Sequence, residues 1–200
     1  MNDLALAALK TTLRLEARAR RKALLVEHPE ADWMAAEHVD PFLKALKQSR
    51  PGVAAIYRGM GSELDPRPLG EALTRRGWRL ALPRVEETDL PLVFHAWKPG
   101  DRLAPDASGQ QAPLASAPVV APDLVIVPLL AFDAFGGRLG QGGGFYDRTL
   151  AGLAGQAPRP AFVGFAYAGQ ARDRLPLEPH DIRLDGILTE AGYSPARKES

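Results

Sequence analysis

The sequence predicts an α/β protein: a three-layer α/β/α arrangement with a mostly parallel central sheet and the N-terminal helices packed on it. Three observations lead there. From residue 53 onward, short apolar runs alternate with stretches of helical periodicity. Two amphipathic stretches precede that alternation. The most apolar run, residues 124–130, leads into six glycines within residues 136–144. Strands alternating with helices favour parallel pairing with both sheet faces covered. In such sheets ligands sit outside the carboxyl ends of the strands, where this glycine loop falls.

The first helix runs from a cap at Asp3 to about Val26, with Leu6, Leu9, Leu13 and Ala17 as its apolar stripe. Lys10, Arg14, Arg18 and Arg21 recur at helical spacing on another face. Such a row is usually solvated. A second helix is expected over residues 31–48, with Trp33, Phe42, Leu43 and Leu46 facing inward. After Pro51-Gly52, residues 53–57 read as a strand and residues 66–77 as a short helix ended by Gly77. Residues 79–82 and 92–97 read as strands, and the Pro-rich stretch 99–122 as a surface excursion with little regular structure. Residues 124–127 form the strand before the glycine loop, and 145–153 the helix after it. Strands at 161–167 and 186–189 complete the set. No repeat or linker divides the chain, so residues 1–200 are expected to form one domain.

Composition removes several function classes. There is no cysteine, hence no disulfide, thiolate metal site or cysteine nucleophile. A net charge of +1 offers no global attraction to nucleic acid or an anionic membrane. The apolar N-terminal run, residues 4–9, is too short for a signal segment, and no run approaches the ~20 residues of a membrane span. The expectation is a soluble cytoplasmic monomer with neither nucleic-acid nor membrane partners.

The glycine cluster is the strongest chemical signal. Each glycine has extra backbone freedom to lose, roughly 0.5–1 kcal/mol relative to alanine in regular structure. A cluster makes sense where a ligand must approach the bare backbone and be held by peptide N–H groups, and phosphate is the usual such ligand. No GxxxxGK[ST] is present, and after Gly140 and Gly142 the third glycine of GxGxxG is replaced by Phe145. What remains is a run of N–H groups before a helix, with Arg138 inside the loop. Asp147, one turn later, is suited either to Mg²⁺ beside a polyphosphate or to helix capping. Asp185 is a second such carboxylate, and Glu63 lies at the carboxyl end of the first strand. His28, His38, His95 and His180 lack metal-ligand spacing, and His180-Asp181 reads as a structural pair.

Taken in order, these segments resemble a known family over nearly the whole chain. The most specific stretch is Val127-Pro128-Leu129-Leu130-Ala131-Phe132-Asp133, then Gly137-Arg138-Leu139-Gly140, then Gly142-Gly143-Gly144-Phe145-Tyr146-Asp147-Arg148. Lys10-Thr11-Thr12-Leu13-Arg14, Glu63-Leu64-Asp65, Ala81-Leu82-Pro83 and Pro99-Gly100-Asp101 support it, as do residues 164–170, Leu175-Pro176, His180-Asp181 and residues 184–190. The ordered set resembles the 5-formyltetrahydrofolate cyclo-ligase family, also called 5,10-methenyltetrahydrofolate synthetases.

That resemblance implies conversion of 5-formyltetrahydrofolate, with or without a polyglutamate tail, to 5,10-methenyltetrahydrofolate, dependent on ATP and Mg²⁺. It implies that Lys10, Thr11, Thr12, Leu13, Arg14, Arg138, Leu139, Gly140, Gln141, Gly142, Gly143, Gly144, Phe145 and Tyr146 hold ATP, with Arg14 and Arg138 in the catalytic role. Asp147 and Asp185 would ligate Mg²⁺, while Glu63 and Gln141, Gly142, Gly143, Gly144 and Phe145 would touch the folate. The family commonly carries an aromatic or basic residue where this chain has Gln141. Two other readings are a sugar-phosphate isomerase or CoA-transferase-like enzyme, which would not need ATP, and a non-catalytic folate- or RNA-binding module.

Overall fold

The computed structural model describes residues 3–48, 50–178 and 181–198. Helix α1 (Asp3–Glu27) is followed by α2 (Ala31–Glu37) and α3 (Val39–Ala45). The position preceding Asp3, where a cap belongs, lies outside the described residues. The single helix expected over 31–48 is broken at His38, which joins two seven-residue pieces. Phe42 and Leu43 are buried there, but Trp33 is 56% exposed and does not face inward.

The central sheet has seven strands in the order β11-β10-β9-β6-β1-β2-β3. These are β1 (Val53–Ala55), β2 (Arg79–Arg84), β3 (Val93–Trp97), β6 (Leu124–Pro128), β9 (Ala161–Phe165), β10 (Gly186–Thr189) and β11 (Gly192–Pro195). The five strands from β10 to β2 pair in parallel, and the outer strands β3 and β11 pair antiparallel. Strand β11 has no counterpart among the sequence expectations. Helix α4 (Arg67–Thr74) links β1 to β2, and α5 (Phe145–Ala154) lies on the crossover from β6 to β9.

Period-two alternation sorts the strand residues onto two faces. Ala54, Ile56, Leu80, Leu82, Leu124, Ile126, Val163 and Phe165 pack with α1 to α4. Val53, Ala55, Ala81, Val125, Val127 and Phe162 face α5 through Leu150. The result is the three-layer α/β/α arrangement with the N-terminal helices on one side.

Two small hairpins were not legible in advance. The stretch 99–122 contains β4 (Leu103–Pro105) paired antiparallel with β5 (Gln111–Pro113), so it is an ordered arm and not an irregular excursion. Asp106 organises its turn by accepting the N–H groups of Val85, Ser108 and Gln110 at 2.9, 2.9 and 3.1 Å. The second hairpin, β7 (Ala131–Phe132) with β8 (Arg138–Leu139), takes up the first half of the glycine segment.

Candidate active site

The strand order reverses between β6 and β1: the chain goes from β1 to β2 on one side, then returns to β6 on the other. A crevice therefore opens at the carboxyl ends of these two strands, where the loops that follow them diverge. A cleft of about 290 Å³ lies there. Its walls come from the loop after β1 (Tyr57, Arg58, Met60, Glu63), the end of β2 (Leu82, Pro83), the β4–β5 arm (Gln110, Gln111), and Arg138 with the glycine loop through Asp147. A second hollow, about 580 Å³ at the β2–β3 edge, has neither the glycine loop nor Glu63.

The loop divides into two functional halves. Gly136 and Gly137 form the β7–β8 turn, set by Asp133, which is 1% exposed. Its carboxylate accepts the N–H groups of Phe135 and Gly137, both at 2.9 Å, and of Leu175 at 3.1 Å. A Cβ on Gly137 would lie 2.5 Å from Asp133 Oδ2, so only glycine fits. These two glycines are consumed by structure and present nothing to a ligand. The second half, residues 140–144, lines the cleft. Gly142 and Gly144 have φ of +103° and +68°, a region that L side chains avoid. Gly144 is the N-cap of α5 and supplies no side-chain acceptor. The first-turn N–H groups of that helix are left open beside the cleft, a standard setting for an anion.

Arg138 is nearly buried, its side chain 4% exposed, and donates to Asp147 Oδ1 and to Ile182 O. Burial lowers its pKa, against the opposing pull of Asp147 and Asp181. Tyr146 lines the same wall, and burial, reinforced by the charge of Glu63, holds its phenol protonated far above the ordinary tyrosine range. It is therefore available as a hydrogen-bond donor. Glu63 is held by Arg21 Nη1 at 3.4 Å and accepts the Met60 N–H at 3.1 Å.

Of the basic row on α1, only Arg18 is exposed; Lys10 and Arg21 are buried and Arg14 is half-buried. Lys10 and Arg21 are 8% and 5% exposed, and the apolar Leu9 is 39% exposed. The packed stripe is Lys10, Ala17, Arg21 and Leu24, with Arg14 half-buried beside it. Arg21 donates to Ser62 Oγ at 3.2 Å and to Leu129 O at 3.3 Å besides Glu63, which makes its burial tolerable. Arg14 Nε donates to Gly140 O at 3.1 Å. Lys10 Nζ donates to Glu178 at 2.6 Å and Asp181 at 2.9 Å. Burial disfavours its charge, but these carboxylates outweigh it and raise the pKa.

Lys10, Thr11, Thr12, Leu13 and Arg14 do not line the cleft, and of the five Arg14 is the one hydrogen-bonded to the glycine loop among the described residues. Thr11 and Thr12 return their hydroxyls to Ala7 O and Ala8 O within the helix. Leu13 packs on the small cluster around Leu130 and Leu139. Asp147 lies in the cleft wall, 37% exposed. Asp185 does not join it. Its carboxylate accepts the Phe162 N–H at 2.7 Å and the Arg159 guanidinium at 2.9 and 3.0 Å, bracing the start of β9. Among the described residues no three His, Cys, Asp or Glu side chains converge as a metal site. His180 lies outside the described residues.

Residues 7–190 match the sequence profile of the 5-formyltetrahydrofolate cyclo-ligase family. The chain belongs to that family. A 5-formyltetrahydrofolate cyclo-ligase of Escherichia coli (strain K12) is 34% identical over 178 residues, covering 86% of this chain and 95% of that protein. Its counterpart in Mycolicibacterium smegmatis is 36% identical over 162 residues, covering 77% and 81%. The NMR structure of an Aquifex aeolicus 5,10-methenyltetrahydrofolate synthetase superposes with a TM-score of 0.71 at 30% identity, covering 96% of this chain and 95% of that one. The α/β fold is thus the fold of this cyclo-ligase family. No helix among the described residues is long and apolar enough to cross a membrane.

Several site residues escaped sequence reasoning. Asp133 carried a signal, since an Asp ahead of Gly-Gly is a turn-forming pattern. Arg148, which also touches the loop, closes the most specific family-like stretch, whereas Arg18 carried no signal beyond its place in the basic row.

Proposed function

We propose that this protein converts 5-formyltetrahydrofolate to 5,10-methenyltetrahydrofolate at the expense of ATP, with Mg²⁺ required. The observation that carries this reading is the position of residues 140–147. Open backbone donors and an α5 N-terminus border one side of a cleft whose other walls combine apolar side chains such as Met60, Leu82 and Val85 with the polar Gln110 and Gln111 and the carboxylate of Glu63. Family membership supplies the reaction class.

An N-formyl group is an amide, with a poorly electrophilic carbon and an oxygen that does not leave. Its oxygen attacks the γ-phosphorus of ATP, ADP departs, and the oxygen becomes a phosphate ester. N10 of the folate then bonds to the activated carbon, gives up its proton, and inorganic phosphate leaves to yield the methenyl cation. Phosphoryl transfer needs alignment and charge neutralisation more than a covalent partner from the protein. The glycine-loop N–H groups and Arg138 are suited to the phosphates, and Tyr146 offers a neutral donor at the same wall. The aromatic and aliphatic lining from Met60, Leu82 and Phe145 suits a flat pterin, and Glu63 suits its ring N–H groups.

Asp147 fits Mg²⁺, which takes one or two carboxylates and otherwise phosphate oxygens and water. Bound there, the ion would neutralise charge on the phosphates. Asp185, already engaged with Arg159 and the Phe162 N–H, is assigned a structural role.

The test mixes purified protein with 5-formyltetrahydrofolate and follows the near-ultraviolet absorbance of the methenyl product with and without ATP and Mg²⁺. An ATP-dependent rise is expected. Product without ATP, or none with it, removes this reading.

A further inference from the structure

Three guanidinium groups hold the glycine loop by its carbonyl oxygens. Arg14 Nε donates to Gly140 O at 3.1 Å. Arg18 Nη2 donates to Gln141 O at 3.3 Å, while its Nε takes the Gln141 side-chain oxygen at 3.0 Å. Arg148 Nη2 donates to Gly143 O at 3.3 Å and also to Thr88 O at 3.0 Å. None of the three arginines lines the cleft, whereas residues 140–144 do, so the loop lies between these side chains and the cleft.

The direction of a peptide unit follows from this. In a trans peptide the C=O and the next N–H point to opposite sides. Pinning the carbonyls of Gly140, Gln141 and Gly143 outward turns the N–H groups of Gln141, Gly142 and Gly144 toward the cleft. None of these three N–H groups has a backbone acceptor among the described residues outside the regular elements. In a glycine-rich segment nothing else would choose between this orientation and the flipped one, which would present carbonyl oxygens to an anion.

We propose that Arg18 and Arg148 are positioning residues that set the glycine-loop peptides donor-side inward for the ATP phosphates, acting through the loop carbonyls and not by touching the nucleotide. The inference rests on the ATP-dependent reading above. Arg148 also ties the loop to the β2–β3 connection at Thr88, so it fixes the loop relative to the opposite wall as well as its orientation.

The test uses Arg18→Ala and Arg148→Ala beside the conservative Arg18→Lys and Arg148→Lys, which retain a donor and cover the case in which an alanine variant does not fold. A hydrogen bond from a charged group is worth enough to move an equilibrium about tenfold or more. KM for ATP should rise about tenfold in each alanine variant while kcat changes less than about threefold, and lysine should restore part of the loss. In ¹⁵N-labelled wild-type protein, the amides of Gln141, Gly142 and Gly144 should shift on ATP addition, and those shifts should shrink in the variants. Unchanged KM, a uniform loss of kcat with KM intact, no recovery with lysine, or silent loop amides in an active wild-type enzyme would each overturn the inference. Wild-type protein whose loop amides respond to ATP but that makes no methenyl product would overturn the functional reading and leave this one standing.

Discussion

Replacing Arg21 by alanine tests the least expected feature of the molecule, a buried arginine on a helix face that charge alone assigns to solvent. The Arg21 and Glu63 side chains are only 6% and 9% exposed, at 3.4 Å separation. Arg21 also satisfies Ser62 Oγ and Leu129 O. The substitution therefore strands a carboxylate in a low-dielectric setting, and breaking a buried pair from one side costs about 3–5 kcal/mol. Against a total stability of roughly 5–15 kcal/mol this is a large fraction. In urea unfolding the midpoint should fall by about 1.5–2.5 M for a slope near about 2 kcal/mol/M. Lys22→Ala, at an exposed position on the same helix, should stay within about 0.5 kcal/mol. Adding Glu63→Gln removes the stranded charge and should recover about 1 kcal/mol or more relative to additivity. A loss below about 1 kcal/mol in Arg21→Ala, or strict additivity with Glu63→Gln, would refute the argument.

Asp147→Asn keeps an oxygen acceptor for Arg138 but loses the charge; turnover at fixed Mg²⁺ should fall about 10–100-fold, the range seen when metal sites lose a supporting group. Unchanged kinetics across a Mg²⁺ titration would remove Asp147 from the metal site. Gly142→Ala places a Cβ at φ +103°, where strain of about 1–3 kcal/mol is expected. That strain should lower the urea midpoint by about 0.5–1.5 M at a slope near about 2 kcal/mol/M, and KM for ATP should rise; an unaltered KM would count against a backbone role. Tyr193 is pushed up to about 12 from an ordinary 10.0, chiefly by burial and secondarily by Asp185. A raised folded-state value means its stabilising contribution is complete below pH 10 and is lost as pH rises toward about 12, where the unfolded chain ionises first. Tyr193→Phe should flatten the stability profile over that window, and an identical slope in the variant would contradict it. The raised phenols of Tyr57 and Tyr146 leave a residual alkaline slope in either protein.

The sequence by itself determined the order along the chain of six of the seven central-sheet strands, the positions of α1, α4 and α5, and the place of the glycine loop. Apolar periodicity and turn residues are local properties, and the run 124–130 ahead of six glycines has few other uses. It also excluded the common nucleotide signatures, because those depend on residue type at fixed spacing. Only the tertiary structure decided which face of α1 packs. Periodicity places Leu9 inward and the basic row outward, but Ser62, Glu63, Glu178, Asp181 and main-chain carbonyls from distant segments supply the partners that let Lys10 and Arg21 be buried. Likewise the two candidate metal carboxylates are equivalent as letters. Folding sends Asp147 to the cleft and pairs Asp185 with Arg159 and the Phe162 N–H, a choice made by contacts 26 and 23 residues apart. The glycines divide for the same reason: a buried Asp133 claims Gly137, and arginines from α1 and α5 claim the carbonyls of Gly140 and Gly143 and of Gln141 between them. A glycine's role depends on what surrounds it, and that is set by the whole fold.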